Sequence, residues 1–170
     1  YGPAGTGKTT AAKLIVTNLD CDSIYINCSD ENGIDTIREK VKSFASAATF
    51  RELKVVIMDE ADFLTLNAQA ALRNVIETFA QTTRFVFTCN YIERIIDPIQ
   101  SRTSVFEILP PSKSEVAKRC SAILDSEACN RAPADIVEIV NKTYPDIRKT
   151  LNLLQSCIVS EPAGTFLQLK

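Results

Sequence analysis

The first ten residues, Tyr1-Gly2-Pro3-Ala4-Gly5-Thr6-Gly7-Lys8-Thr9-Thr10, leave this chain few folds to choose from. They follow G-x-x-x-x-G-K-[ST], in which glycines let the backbone turn tightly so that successive N–H groups converge on nucleotide phosphates. Gly2, Pro3, Gly5, Thr6, Gly7 and Thr10 form the expected cradle. Lys8 neutralises phosphate charge, and the Thr9 hydroxyl is placed to ligate Mg²⁺ beside a bound nucleotide such as ATP. A helical pattern follows at once, with Ala11, Ala12, Leu14 and Ile15 on one side, and adds its positive N-terminal end. Without that helix the glycines would read as an ordinary turn. Such a loop follows a strand. Only Tyr1 precedes it, and the only methionine is Met58, so the first strand and most base-contacting residues are expected upstream of Tyr1.

Composition narrows the reading. The 170 residues are 45% hydrophobic, enough for one domain, or for a medium domain with a small one, around a buried core. The net charge of −2 gives no global basic field, so any nucleic-acid contact has to use a local patch, helix ends or a multi-subunit surface. The chain has no histidine, and its six cysteines show no C-x-x-C spacing, so no zinc site is expected and acid–base chemistry falls to carboxylates and water. Reduced thiols suit a cytoplasmic setting, and no apolar run approaches membrane-spanning length.

Along the chain, helix is expected over about 8–18, strand over 24–28, and turn chemistry at Ser29-Asp30-Glu31-Asn32-Gly33. A second helix carries Ile34, Ile37, Val41, Phe44 and Ala48 on one face. The apolar run Val55-Val56-Ile57-Met58 ends at Asp59-Glu60-Ala61-Asp62. A third helix begins near Asn67, another strand covers 85–88, a short helix over 92–99 is broken by Pro98, and a last strand covers 104–108. Short apolar strands alternating with helices mean an α/β fold, a parallel sheet covered on both faces. Pro110-Pro111 marks a boundary between an ATPase-type core over 1–109 and a small all-α domain over 110–170. In that domain Ser112 and Glu115 form a capping box. Val116, Cys120, Ile123 and Leu124 form one helix face, Pro133 starts a second helix, and a third runs over about 145–159 with Ile147, Leu151, Leu154 and Ile158.

Five positions carry chemistry beyond the first loop. Asp59 and Glu60 close a buried strand about 50 residues after the loop, the Walker B pattern. Asp59 would hold the metal, and Glu60 would orient and polarise the attacking water. The letters D-E-A-D also suggest a helicase box, which the upstream and downstream motifs do not fit. Asn90, at the end of the next strand, reads as an amide for the γ-phosphate or the water, or else as a plain turn residue. Arg102 reads either as a guanidinium acting on a neighbouring subunit's nucleotide or as a surface ion pair, and Arg148 either as a residue reaching the phosphates from the small domain or as a surface arginine.

Taken together, residues 2–10, Tyr25 to Asp30, Gly33 to Asp35, Asp59 to Asp62, Ala68-Gln69, Ala71-Leu72-Arg73, Asn90, Ser101-Arg102 and Asp146-Ile147-Arg148 resemble the ATPase subunits of sliding-clamp loaders in the AAA+ superfamily. The run N-x-S-D-x-x-G-I-D, Asn27 to Asp35, is shared with archaeal and eukaryotic small subunits. Phe44 to Ala48 and residues 145–150 look closest to the clamp loader large subunit of T-even-type bacteriophages. The resemblance spans nearly the whole chain. It implies a P-loop NTPase core with a helical lid, ATP and Mg²⁺ as cofactors, Arg102 as a finger acting in trans, Asn90 as sensor 1 and Arg148 as sensor 2. Thr103 replaces the usual Cys after that arginine, and Pro145 the usual Gly before Asp146. The resemblance also implies that Asn27 restrains Glu60 until DNA is bound, and that Asn32, Gly33, Ile34 and Gln69 face DNA inside a subunit spiral. Gln69 reads equally as a coupling residue or a helix-surface residue.

The implied partners are a sliding clamp, primer–template DNA held through its backbone, and other clamp-loader subunits, with no membrane. The family's C-terminal collar is not within residues 1–170, so weak assembly or a monomer is expected of this stretch alone, in the cytoplasm of a host cell if phage-encoded. The alternatives are another AAA+ ATPase, such as a helicase loader or replication initiator, or a non-hydrolysing structural subunit that only presents Arg102.

Overall fold

The computed structural model describes residues 1–129 and 132–159, with the side chains of Thr36, Ile158 and Val159 outside the description. The expected core role of Ile158 therefore falls outside it, as does the end of the expected 110–170 domain. Contacts divide the chain into two compact units: Tyr1–Gly2 with Gly7–Ile108, and Pro3–Thr6 with the residues from Leu109 on.

In the first unit the elements run α1 (Lys8–Thr17), β1 (Cys21–Asn27), α2 (Ile34–Ser46), β2 (Leu53–Asp59), α3 (Leu66–Phe79), β3 (Thr83–Phe87) and α4 (Asp97–Gln100), with single 3₁₀ turns at Ala61–Phe63 and Ile92–Arg94. The described sheet is parallel, in the order β1-β2-β3. β2 is buried on both faces, which is why it reads as a continuous apolar run rather than an alternating one. Val56 and Met58 pack with Ile26, Ile37, Val41, Leu72 and Ile76 under α2 and α3. Val55 and Ile57 pack on the opposite face with Ala12 of α1 and Cys21. Thr65 caps α3, its hydroxyl accepting from the Ala68 N–H at 3.2 Å.

Lys54, one residue into β2, is 3% exposed. Its ammonium donates to the Phe44 and Ala45 carbonyls, both at 3.0 Å, and to that of Ala47. These oxygens lie at the C-terminal end of α2, where helical carbonyls lack partners and the dipole favours a cation.

Three expectations are corrected. Residues 104–108 are extended but form no strand of the described sheet: their backbone partner is Tyr1, whose backbone nitrogen donates to the Phe106 carbonyl at 2.7 Å and whose carbonyl accepts from the Ile108 N–H at 2.7 Å. Between this segment and β3 lies a cavity of about 570 Å³. The expected apolar face of α1 is buried only at Ala12, with Leu14 57% and Ile15 54% exposed, and Ile15 and Ala11 line that cavity rather than a packed core. Residues 92–99 are not one helix broken by Pro98. Pro98 instead lies in the first turn of α4, where its missing N–H would have no helical acceptor.

The second unit carries α5 (Lys113–Ser126), α6 (Pro133–Thr143) and α7 (Ile147–Val159). The capping box at the start of α5 is complete, with Ser112 Oγ accepting from the Glu115 N–H and the Glu115 carboxylate accepting from the Ser112 N–H. Val116, Cys120, Leu124, Ile136, Ile139, Val140 and Leu154 form its core. Thr143 and Thr150 join α6 to α7 through their hydroxyls at 2.7 Å.

Candidate nucleotide site

Parallel strands end together, and their C-terminal ends gather the polar residues. The register sets Asn27 opposite Asp59 and Met58 opposite Phe87, so Thr88 follows directly beside Asp59. The ladder continues past the strands, with Cys28 N–H donating to the Asp59 carbonyl at 2.9 Å and Ala61 N–H to that of Thr88 at 2.8 Å.

At this edge Lys8 and Thr9, in the first turn of α1, meet the strand ends. The Lys8 ammonium donates to the Gly2 carbonyl and to Asn90 Oδ1, each at 2.8 Å. Thr9 Oγ1 donates to Asp59 Oδ1 at 2.7 Å. The same carboxylate oxygen accepts from Thr88 Oγ1, and Asp59 Oδ2 accepts from the Tyr25 hydroxyl at 2.6 Å. Burial pushes the Asp59 carboxyl up, but the Thr88, Tyr25 and Thr9 hydroxyls and the Lys13 charge outweigh it and hold the group below its ordinary value. Lys13 Nζ lies 4.3 Å from the centre of the Tyr25 ring. The Tyr25 hydroxyl is in turn pushed well above its usual range by burial and by its bond to Asp59.

Glu60 breaks the strand. Its backbone is left-handed, φ 55° and ψ 43°, and its N–H donates to Thr88 Oγ1 at 3.3 Å. Three loop glycines, Gly2, Gly5 and Gly7, adopt conformations that L residues rarely take. Gly2, at φ 153°, runs so close to the chain that a Cβ would stand 2.3 Å from the Ile108 carbonyl oxygen. Gly7, at φ 89°, has open space around it. Thr6 Oγ1 donates to the Pro3 carbonyl at 2.9 Å, and Thr10 is exposed on α1.

The structure thus brings together Gly2, Lys8, Thr9, Asp59 and Asn90, with Glu60 adjoining. Among the described residues no three His, Cys, Asp or Glu side chains form a metal cluster. One hydroxyl and one carboxylate oxygen 2.7 Å apart instead match what Mg²⁺ takes from a protein when phosphates and water complete its shell.

Other expected residues lie elsewhere. Asn27 is not brought to Glu60: its amide donates to Asp30 Oδ2 at 2.7 Å, and its Oδ1 accepts from the Ser29 N–H and hydroxyl, an Asx-type turn that closes the strand end on itself. Gln69 is not on a DNA-facing surface. It is 1% exposed, donating to the Leu64 and Arg94 carbonyls at 3.2 and 2.9 Å and accepting from the Ile96 N–H at 2.9 Å. Backbone groups in those two bends have no ladder to join, and one buried amide satisfies three of them. Asn32, Gly33 and Ile34 are exposed at the start of α2. Arg102 is paired with Glu77 of α3, and Arg148 stands exposed in the first turn of α7.

Thr88 and Tyr25 were missed by sequence reasoning. Both could have been found from period-2 alternation once the register was known. Tyr25 pairs with Ile57, two residues from Asp59, and so shares its face, and Thr88 is the first residue past β3.

A family model for the ATPase family associated with various cellular activities (AAA) matches residues 1–111. The chain belongs to the AAA family. It is 43% identical over 162 residues to the replication factor C small subunit of Sulfolobus acidocaldarius, covering 91% of this chain and 50% of that protein. It is 42% identical over 167 residues to replication factor C subunit 3 of Schizosaccharomyces pombe, covering 92% and 48%. This AAA chain therefore spans about half the length of the relatives it matches. Those relatives bear out the clamp-loader resemblance, and they are archaeal and fission-yeast proteins rather than phage ones. Among solved structures, the Thermotoga maritima RuvB Holliday junction branch migration motor matches with a TM-score of 0.77 at 18% identity, over 94% of this AAA chain and 54% of that one, a likeness of fold.

Proposed function

We propose that this AAA chain is the ATPase part of a sliding-clamp loader subunit, in which ATP binding and hydrolysis drive clamp opening and loading onto primer–template DNA. The observation that carries the loader reading is the 42–44% identity to replication factor C subunits along nine-tenths of the chain. The convergence of Lys8, Thr9, Asp59 and Asn90 supports the ATPase chemistry.

In this reading Gly2 to Thr10 cradle the phosphates, with Lys8 moving from Asn90 and the Gly2 carbonyl onto them. Thr9 and Asp59 would hold Mg²⁺, which when bound neutralises charge developing on the transferred phosphoryl group. Glu60 accepts a proton from the attacking water, and Asn90 orients that water or the γ-phosphate. Arg102 acts on the neighbouring subunit's nucleotide, and Arg148 supplies a charge from the helical lid. Asn32, Gly33 and Ile34 face the DNA backbone, so binding is sequence-independent and falls with salt. The ATPase core is assigned to 1–109 and the lid to the residues from 110 on. The partners are the clamp and other loader subunits. No helix among the described residues is long and apolar enough to cross a membrane, and the six free cysteines suit a cytoplasmic setting.

The test is steady-state ATP hydrolysis by the full-length protein with and without primed DNA and the cognate clamp. Stimulation that needs both is expected, and hydrolysis indifferent to both would move the protein to another AAA class. Glu60→Gln is expected to bind ATP without turnover, and unchanged turnover would remove Glu60 from its role.

A further inference from the structure

The Arg102 guanidinium is held by two elements at once. Nε donates to Glu77 Oε1 at 2.6 Å, and Nη2 lies 2.5 Å from the same oxygen. Nη1 donates to the Pro98 carbonyl at 2.8 Å and to Ser101 Oγ at 3.2 Å. Glu77 projects from the last turn of α3, while Pro98 and Ser101 belong to α4 and its cap. The ion-pairing side chains are 34% and 48% exposed, so the pair contributes little to stability. What it does supply is direction. A lone arginine on a surface samples many rotamers, and ordering it at an interface costs affinity or rate. Here every nitrogen of the group is already in contact with an acceptor that fixes its plane.

We propose that Glu77 is a positioning residue: it holds the Arg102 guanidinium at the edge of the ATPase unit in the orientation used on a neighbouring subunit's nucleotide. This rests on the reading of Arg102 as a residue acting in trans. Glu77 itself touches no nucleotide. Both close contacts go to a single carboxylate oxygen, so a neutral amide oxygen at the same place preserves the geometry.

The experiment uses full-length protein with clamp and primed DNA. Subunits carrying Glu60→Gln serve as the background, because any further change in them is read only at a neighbour's site. They are mixed in large excess with wild-type subunits. Adding Glu77→Ala to the background is expected to lower wild-type-site turnover about fivefold at saturating ATP, with KM for ATP and the urea midpoint unchanged. Adding Glu77→Gln is expected to stay within about twofold, because the acceptor oxygen remains. Adding Arg102→Ala is expected to lower turnover far more, by about 10³-fold or to background. Unchanged or raised turnover with Glu77→Ala, or equal losses for Ala and Gln, overturns the role of Glu77 while Arg102→Ala still falls. Unchanged turnover with Arg102→Ala overturns the trans reading itself.

Discussion

Lys54→Met keeps the length and volume of the side chain and removes only the ammonium. Three carbonyls at the end of α2, those of Phe44, Ala45 and Ala47, then lose their donor. Hydrogen bonds to a charged group contribute about 1.5–3 kcal/mol each. The Ala45 contact is fully buried, whereas the other two acceptors are partly reached by solvent and recover some hydration. The balance is a net loss of about 2–4 kcal/mol. For a domain of this size that lowers the melting temperature by about 5–12 °C. The assay is urea unfolding followed by circular dichroism, with a thermal scan beside it. Lys54→Ala, which also leaves a cavity, should lose more. A Lys54→Met protein within about 0.5 kcal/mol of wild type would mean that water satisfies these carbonyls, and the capping argument would fail.

Further outcomes follow from the site. Gly2→Ala is expected to abolish nucleotide binding, because a Cβ 2.3 Å from the Ile108 carbonyl has to displace backbone, whereas Gly7→Ala meets only conformational strain and should cost about 1–2 kcal/mol; equal effects on ATP affinity would contradict this ordering. Thr88→Val removes one hydroxyl from Asp59 and the acceptor of the Glu60 N–H, and is expected to lower ATP turnover about tenfold or more with little change in ATP affinity. Asp59 has its carboxyl held low in the folded chain, so its contribution to stability is complete above the unfolded-chain range near pH 4 and is lost as pH falls through the lower folded value. Tyr25→Phe takes away one of the donors holding it low, so the acid-unfolding midpoint should move upward, and a downward move would reverse the assigned sign.

The features legible in the sequence were those written locally. The P-loop glycines, the Ser112–Glu115 box and Pro133 at the start of α6 each depend on residues within one turn, and each formed as expected. β2 was legible because burial on both faces makes Val55 to Met58 an uninterrupted apolar run. What escaped was set by distant partners. Residues 104–108 have strand composition, yet a strand needs a ladder, and sequence does not say which edge is filled. Leu14 and Ile15 have helical spacing, but whether that face meets a core depends on what lies across the cavity. Gln69 is a polar residue on an amphipathic helix, and only the two bends beyond the sheet turn it into a buried bridge. The residues of the proposed site were readable by type, while the hydroxyls that hold Asp59 depend on strand register.

The left-handed backbone at Glu60 has a consequence for how this protein can be improved. A non-glycine residue in that region costs about 1–2 kcal/mol, and here the Thr88 contacts hold the chain in it. Asn or Gly at position 60 would relax the bend, so a search for sturdier variants that scored only thermal resistance would favour the substitutions that remove the carboxylate proposed to activate water. At this position resilience and turnover are selected in opposite directions.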